Sequence, residues 1–331
     1  MTGTPSIPVW HQPLVSIIVT HHDYSDHLAD ALHSVIDQTH KNWECVVVDD
    51  ESSAPHLAKL IEIVEDLNCA KIQIKQLSKN AGQIAAFFAG LAHTSGEFVC
   101  ALDPDDRYAP AFLQRALEAH LNDRVIAPIV STDQYFVGPM GMIGAGFYRC
   151  SYWQWQRNGS GYAVPTDDPT PIFTPPTVDG WHISSTSALM MRRSALKYLR
   201  PTEPLPYKGQ LDSYLATGLH WLGGTLFLPV PLIYRTLHAN NAWMCENVFA
   251  TMQAVKSDPK MERATRAEVT ADVLRIMQSH DAPIVRQKPQ ARRGFFSRMR
   301  RSIGKRTDSL MDYLSAKHLA AEASDRQRAG I

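Results

Sequence analysis

Phe98-Val99-Cys100-Ala101-Leu102 is an apolar run that ends in three carboxylates within four positions, Asp103, Asp105 and Asp106. Gly96 stands before the run and Pro104 interrupts the acids. A short apolar run with such boundaries predicts a buried strand. Its end brings three like charges to one sheet edge, where they repel each other unless a cation stands among them. Hard divalent cations such as Mg²⁺ or Mn²⁺ take oxygen ligands, and Mg²⁺ commonly uses one or two carboxylates together with substrate phosphates. An acidic turn that caps the next helix is the plainer reading of the same residues.

The pattern recurs along the first hundred residues. Trp43 to Val48 is a second buried run, ending in Asp49-Asp50, and Leu14 to Thr20 is a β-branched run ahead of both. Asp26 to Thr39 carries Leu28, Leu32, Val35 and Ile36 at helical spacing, and Leu57 to Leu67 reads as a second helix. Lys71 to Leu77 alternates as a strand does; Ala81 to Ala92, entered through Asn80, is a helix of small and aromatic residues. Short strands alternating with helices predict an α/β fold, with a mostly parallel central sheet, right-handed crossovers and flanking helices. Such sheets bind ligands at the C-terminal strand ends. Thr20, Asp49, Asp50, Asp103 and Asp105 all fall there.

The chain has 331 residues, 44% of them apolar, and a formal net charge of zero. A large core is therefore possible, and the charge gives no reason to expect nucleic acid as a partner. The five Cys are scattered and never form a Cys-x-x-Cys pair, which predicts a reducing compartment without structural zinc. Cys45 and Cys100 sit inside apolar runs as core residues. Met1 to Trp10 lacks the pattern of a secretory leader, and no run reaches bilayer-spanning length. A cytoplasmic protein, able to touch the membrane from its inner face, is expected.

Residues 136–180 break the alternation with Gly, Pro and the aromatics Phe147, Tyr148, Tyr152, Trp153, Trp155 and Tyr162. Aromatic platforms suit the apolar faces of an acceptor sugar, and they equally suit a small core. Ser187 to Met191 is apolar, a helix is expected from about Asp212 to Leu222, and Thr225 to Val230 reads as a strand. Glu262 to Gln278 and Thr307 to Arg326 read as polar helices. Between them Arg286 to Arg306 holds nine Lys or Arg and no acid, interleaved with Phe295, Phe296, Met299 and Ile303. That mixture suits an interfacial segment on anionic lipid, or a solvated basic tail. The expected organisation is a catalytic domain over 1–240, with 136–180 as an acceptor-side insertion, and a helical, partly basic extension over 241–331.

Five ordered blocks resemble the family 2 glycosyltransferases of the GT-A fold. They are Val15-Ser16-Ile17-Ile18-Val19-Thr20, Leu32 to Thr39, Trp43 to Ser52, Asn80-Ala81-Gly82-Gln83 with Ala86 and Gly90, and Gly96-Glu97 leading into Leu102 to Asp106. The resemblance implies an inverting transfer of a sugar from a nucleotide diphosphate sugar. The acceptor would be a hydroxyl of a glycan or lipid-linked glycan, in cell-surface polysaccharide or glycoconjugate synthesis. It implies that Asp50 binds the base, that Thr20 and His21 lie against the nucleotide, and that Gln83 belongs to the donor site. Asp103 would contact ribose or metal, and Asp105 would ligate the metal, Mg²⁺ or Mn²⁺. His21-His22-Asp23 departs from the family pattern and leaves the roles of His22 and Asp23 open.

The family takes its catalytic base from an acidic pair, usually Glu-Asp, ahead of a Pro-closed strand. Leu211-Asp212 sits in that place, with Leu215, Leu219, Gly223 and Pro229 in register. Asp212 is the expected base; a first-turn acid favoured by the helix dipole is its other role. Tyr234-Arg235-Thr236-Leu237-His238 resembles the family's closing element, which implies that Arg235 and His238 neutralise the diphosphate. Arg192-Arg193 is expected to be structural. Two other readings use the same residues. One is a nucleotidyltransferase, against which His21 to Tyr24 shows no Gly-rich phosphate loop. The other is a non-catalytic carbohydrate-binding or scaffolding protein that kept the fold, in keeping with the missing Glu beside Asp212.

Overall fold

The computed structural model describes residues 12–122, 124–138, 141–145, 170–178, 185–236, 238 and 266–285. The aromatic segment from Phe147 to Tyr162, the basic run Arg286 to Arg306 and the expected helix over Thr307 to Arg326 lie outside these residues. Strands β1 (Val15–His21), β2 (Trp43–Asp49), β3 (Ile72–Gln76) and β4 (Phe98–Leu102) are linked by helices α1 (Leu28–Ile36), α2 (Ala54–Leu67) and α3 (Gln83–Leu91). Next come β5 (Asp106–Tyr108), α4 (Phe112–His120), β6 (Ile129–Gly138), β7 (Gly141–Ala145) and β8 (Ile172–Thr174). They are followed by β9 (Leu189–Arg192), α5 (Arg193–Leu196), α6 (Leu211–Gly223), β10 (Thr225–Thr236) and α7 (Arg266–Ser279).

Among the described residues the ten strands form one sheet, ordered β3-β2-β1-β4-β9-β6-β10-β5, with β7 on β6 and β8 on β10. β1 is parallel to β2 and β4, β2 to β3, and β6 to β10. β9 runs antiparallel between β4 and β6, so six strands share one direction and one C-terminal edge. This is the expected α/β sheet. The reversed β9 was not legible, because Leu189–Arg192 is four residues long and continues into a helical turn.

Both faces are covered, which explains why the central strands read as nearly continuous apolar runs. Ile17, Val19, Val47 and Leu102 pack toward α1, α2 and α4, while Ile18, Val46, Val48 and Ala101 pack toward α3, α6 and α7. Gly90 lets α3 lie directly on the sheet, since a methyl group there would stand 2.7 Å from Ile18 Cγ2 and 2.9 Å from Val48 Cγ2. Val269, Val273, Ile276 and Met277 bring α7 into the same core. The two arginines are structural, as expected. Arg192 donates to the Ala127 and His120 carbonyls, and Arg193 donates to the Gly96 and Leu91 carbonyls and to Ser16 and Thr94. Cys45 and Cys100 are buried free thiols. No described helix is long and apolar enough to cross a membrane.

Candidate active site

The end of β1 is tied inward. His21 and Asp49 face each other across the β1–β2 register, with Nδ1 3.0 Å from the Asp49 carboxylate. The other ring nitrogen lies 3.0 Å from Ser25 Oγ. Burial holds the His21 imidazole below its ordinary pKa despite the carboxylate beside it. A Ser-His-Asp arrangement suggests a nucleophile, but Ser25 is buried and its hydroxyl donates to the His56 carbonyl. The trio fixes the chain as it leaves the sheet. Thr20 is buried beside it, in register with Val48. Asp23 accepts from the Ser53 amide and hydroxyl at the start of α2, and His22 pairs with the Asn80 side chain.

Asp50 turns toward α3. Its two carboxylate oxygens accept from the Ala81 and Gly82 amides, each at 2.7 Å. Glu51 accepts from the Asn80 amide at 2.8 Å. The acidic pair thus satisfies amides that the start of a helix leaves without partners. Each Asp50 oxygen keeps a second lone pair for an incoming N–H donor.

One turn further on, Gln83 donates to the Asp103 carboxylate at 2.8 Å. Ser187 accepts from the Asp103 amide and donates to Asp106 at 2.7 Å. Asp106 points inward and also accepts from the Thr236 amide. Burial and the neighbouring carboxylates hold Asp103 well above the usual carboxylate range and push Asp106 up to about 7. Arg235 opposes both shifts, and Asp212 adds to that of Asp103. The end of β10 thus meets the acids that follow β4, with Arg235 opposite Asp106 in the β5–β10 register.

Asp105 reaches His238, just past β10. Its carboxylate lies 3.1 Å from His238 Nε2, and Tyr24 hydrogen-bonds and stacks on the same imidazole with ring centres 5.2 Å apart. His27 closes the aromatic group at 5.3 Å from His238. Asp105, His238, His27, Arg107 and Thr236 line a cavity of about 310 Å³. Asp212 sits in the first turn of α6, half-buried, with Oδ1 accepting from the Ser213 amide. Leu211 is fully buried in the core.

The crowded carboxylates fit a divalent cation, since their mutual repulsion adds to the burial that raises Asp103 and Asp106. Among the described residues no three His, Cys, Asp or Glu side chains stand ready as a metal cage. Of the residues expected from sequence, Asp50, Gln83, Asp103, Asp105, Arg235 and His238 line the sheet's C-terminal edge with Asp212, whereas His21 is spent on protein contacts. Ser187, Tyr24, His27 and Arg107 were missed. Ser187 had one signal, its place at the head of an apolar run.

Residues 16–199 match the family described as Glycosyl transferase family 2. An uncharacterized glycosyltransferase of Nostoc sp. is 28% identical over 249 residues, spanning 75% of this chain and 72% of its own. The Escherichia coli UDP-Glc:alpha-D-GlcNAc-diphosphoundecaprenol beta-1,3-glucosyltransferase WfgD is 29% identical over 112 residues, or 34% of this chain and 43% of that protein. The crystal structure of S. aureus TarS 1-349 in complex with UDP aligns at 21% identity and a TM-score of 0.48, covering 78% of this chain and 70% of that one.

Proposed function

The chain belongs to glycosyl transferase family 2, with a GT-A type α/β fold, and from that membership we propose an inverting sugar transfer. The donor is a nucleotide diphosphate sugar and the acceptor a hydroxyl of a glycan or lipid-linked glycan, in cell-surface polysaccharide synthesis. The observation that carries this reading is the meeting of the β10 end with the acids after β4 at the C-terminal sheet edge, where Arg235 lies opposite Asp106 in register and His238 Nε2 stands 3.1 Å from the Asp105 carboxylate. The naming of WfgD as a diphosphoundecaprenol glucosyltransferase supports the acceptor class.

In this reading Asp50 accepts from the base, and Thr20 and Gln83 shape the donor pocket around it, with His21 fixing the end of β1 behind them. Asp103 and Asp105 would hold Mg²⁺ or Mn²⁺, which supplies Lewis-acid relief of the charge that develops on the diphosphate. The acceptor hydroxyl gives its proton to Asp212 as its oxygen attacks the anomeric carbon from the face opposite the leaving group. The bond from that carbon to the diphosphate breaks, and Arg235 and His238 take up the negative charge. Leu211 packs in the core, which leaves Asp212 as the acid of this pair position. The nucleotidyltransferase reading gains nothing from the β1 end, which closes on itself through His21, Asp49 and Ser25.

We assign residues 1–240 to the catalytic domain, 136–180 to the acceptor side, and 241–331 to an extension whose basic run meets an anionic membrane surface. Titration of the full chain with UDP-, GDP- and dTDP-sugars, with Mn²⁺ and with Mg²⁺, tests the donor site. One nucleotide class binding in a metal-assisted way is expected; no binding by any class would overturn the reading.

A further inference from the structure

Four consecutive amides at the entry to α3 are held from two sides. Those of Asn80, Ala81 and Gly82 donate to Glu51 and Asp50, just past the end of β2, where the donor's base would lie. The fourth, of Gln83, donates to the Lys208 carbonyl at 2.7 Å. Lys208 also returns a bond from its ammonium to the Asn80 carbonyl. Gly82 has φ +89°, and a methyl group there would stand 2.9 Å from Lys208 Cα and 3.0 Å from its carbonyl oxygen. The two backbones are thus in direct contact. Lys208 lies four residues before Asp212, and the left-handed Gln210 (φ 71°) forms the corner into α6. Gln83 carries the same linkage onward, since its side chain holds Asp103.

From this contact we propose that Lys208 is a positioning residue. Its strap, residues 207–210, couples the loop over the donor's base to the placement of Asp212. Resting on the glycosyltransferase reading, the proposal adds that donor binding at Asp50 firms the 80–83 loop, and through Lys208 firms the start of α6. Lys208 touches no reacting atom. Its ammonium and the side-chain-free face of Gly82 together keep the two loops at contact distance. A catalytic carboxylate displaced by a fraction of an ångström loses rate while the donor still binds.

The test uses the full chain and whichever of UDP, GDP and dTDP binds it by calorimetry. Hydrogen exchange at the 211–214 amides is followed with and without that nucleotide, in wild type, Lys208→Met, Lys208→Arg and Gly82→Ala. Saturating nucleotide is expected to slow these amides by about tenfold in wild type and in Lys208→Arg, and by less than about twofold in Lys208→Met. Turnover at saturating donor should fall ~10-fold in Lys208→Met while nucleotide affinity stays within about threefold. Gly82→Ala should show the same split more strongly; if it fails to fold, Lys208→Met decides alone. Nucleotide binding with no protection at 211–214 in wild type, or with equal protection in Lys208→Met, overturns the coupling and leaves the donor site standing. Absence of binding by all three nucleotides overturns the donor site itself, and the coupling with it.

Discussion

At the scale of single residues, side chains divide into those that build the cleft and those that face it. Among the described residues, Asp212 accepts from the amide of its neighbour Ser213. Asp212→Asn should therefore lower turnover ~10²-fold or more while nucleotide affinity and unfolding midpoint stay close to wild type. Arg193 is the opposite case. Its guanidinium donates to Gly96, Leu91, Ser16 and Thr94 at the base of the sheet, far from any carboxylate of the cleft. Arg193→Met should destabilise the chain by about 3 kcal/mol, read as a shift of the urea midpoint, because buried acceptors lose a charged donor. Sequence alone separated a structural side chain from a ligand-facing one for Arg193, whose bonds are as expected. It could not do so for His21, because a His at a strand end looks the same whether it faces a ligand or, as here, Asp49 and Ser25.

At the scale of elements, β1 to β4 and their helices were legible because each buries an apolar stripe at its own period. Strand β6 was not. Its centre, Ser131-Thr132-Asp133-Gln134, is polar and yet fully buried, so no periodicity marks it. Helix α4 was missed for a related reason: Gln114, Arg115 and Glu118 interrupt its apolar residues, although Phe112, Leu113, Ala116 and Leu117 are all buried. The packing of α3 gives a prediction of its own. Gly90→Ala gains roughly 1 kcal/mol of helix propensity. It also drives a methyl group into Ile18 and Val48, and overpacking of that kind costs ~1–3 kcal/mol. A lowered denaturant midpoint is expected; a raised one would show that α3 stands off the sheet.

At the scale of the whole molecule, buried histidines set the response to acid. Burial pushes His120, whose ring bonds the Met190 carbonyl, down to about 3, and lowers His21 as well. Both bind fewer protons in the folded than in the unfolded chain. Their contribution is complete above the ordinary value of 6.5 and is lost as pH falls toward the folded values. Each histidine lowers stability by up to ~1.4 kcal/mol per pH unit below that point, Asp103 and Asp106 work the other way because the fold raises them, and His120→Leu should remove one histidine's share of the slope. The basic run 286–306 makes a separate prediction. Vesicles containing anionic lipid should float the full chain and not a version ending at residue 285; equal recovery of both would remove the membrane from the account. The central claim is that acids from separate stretches serve one reaction. The release of nucleoside diphosphate from a nucleotide sugar, compared in wild type, Asp105→Ala and Asp212→Asn, measures it most directly. The account predicts turnover by wild type and a loss of ~10²-fold or more in each folded variant; variants as fast as wild type would contradict it.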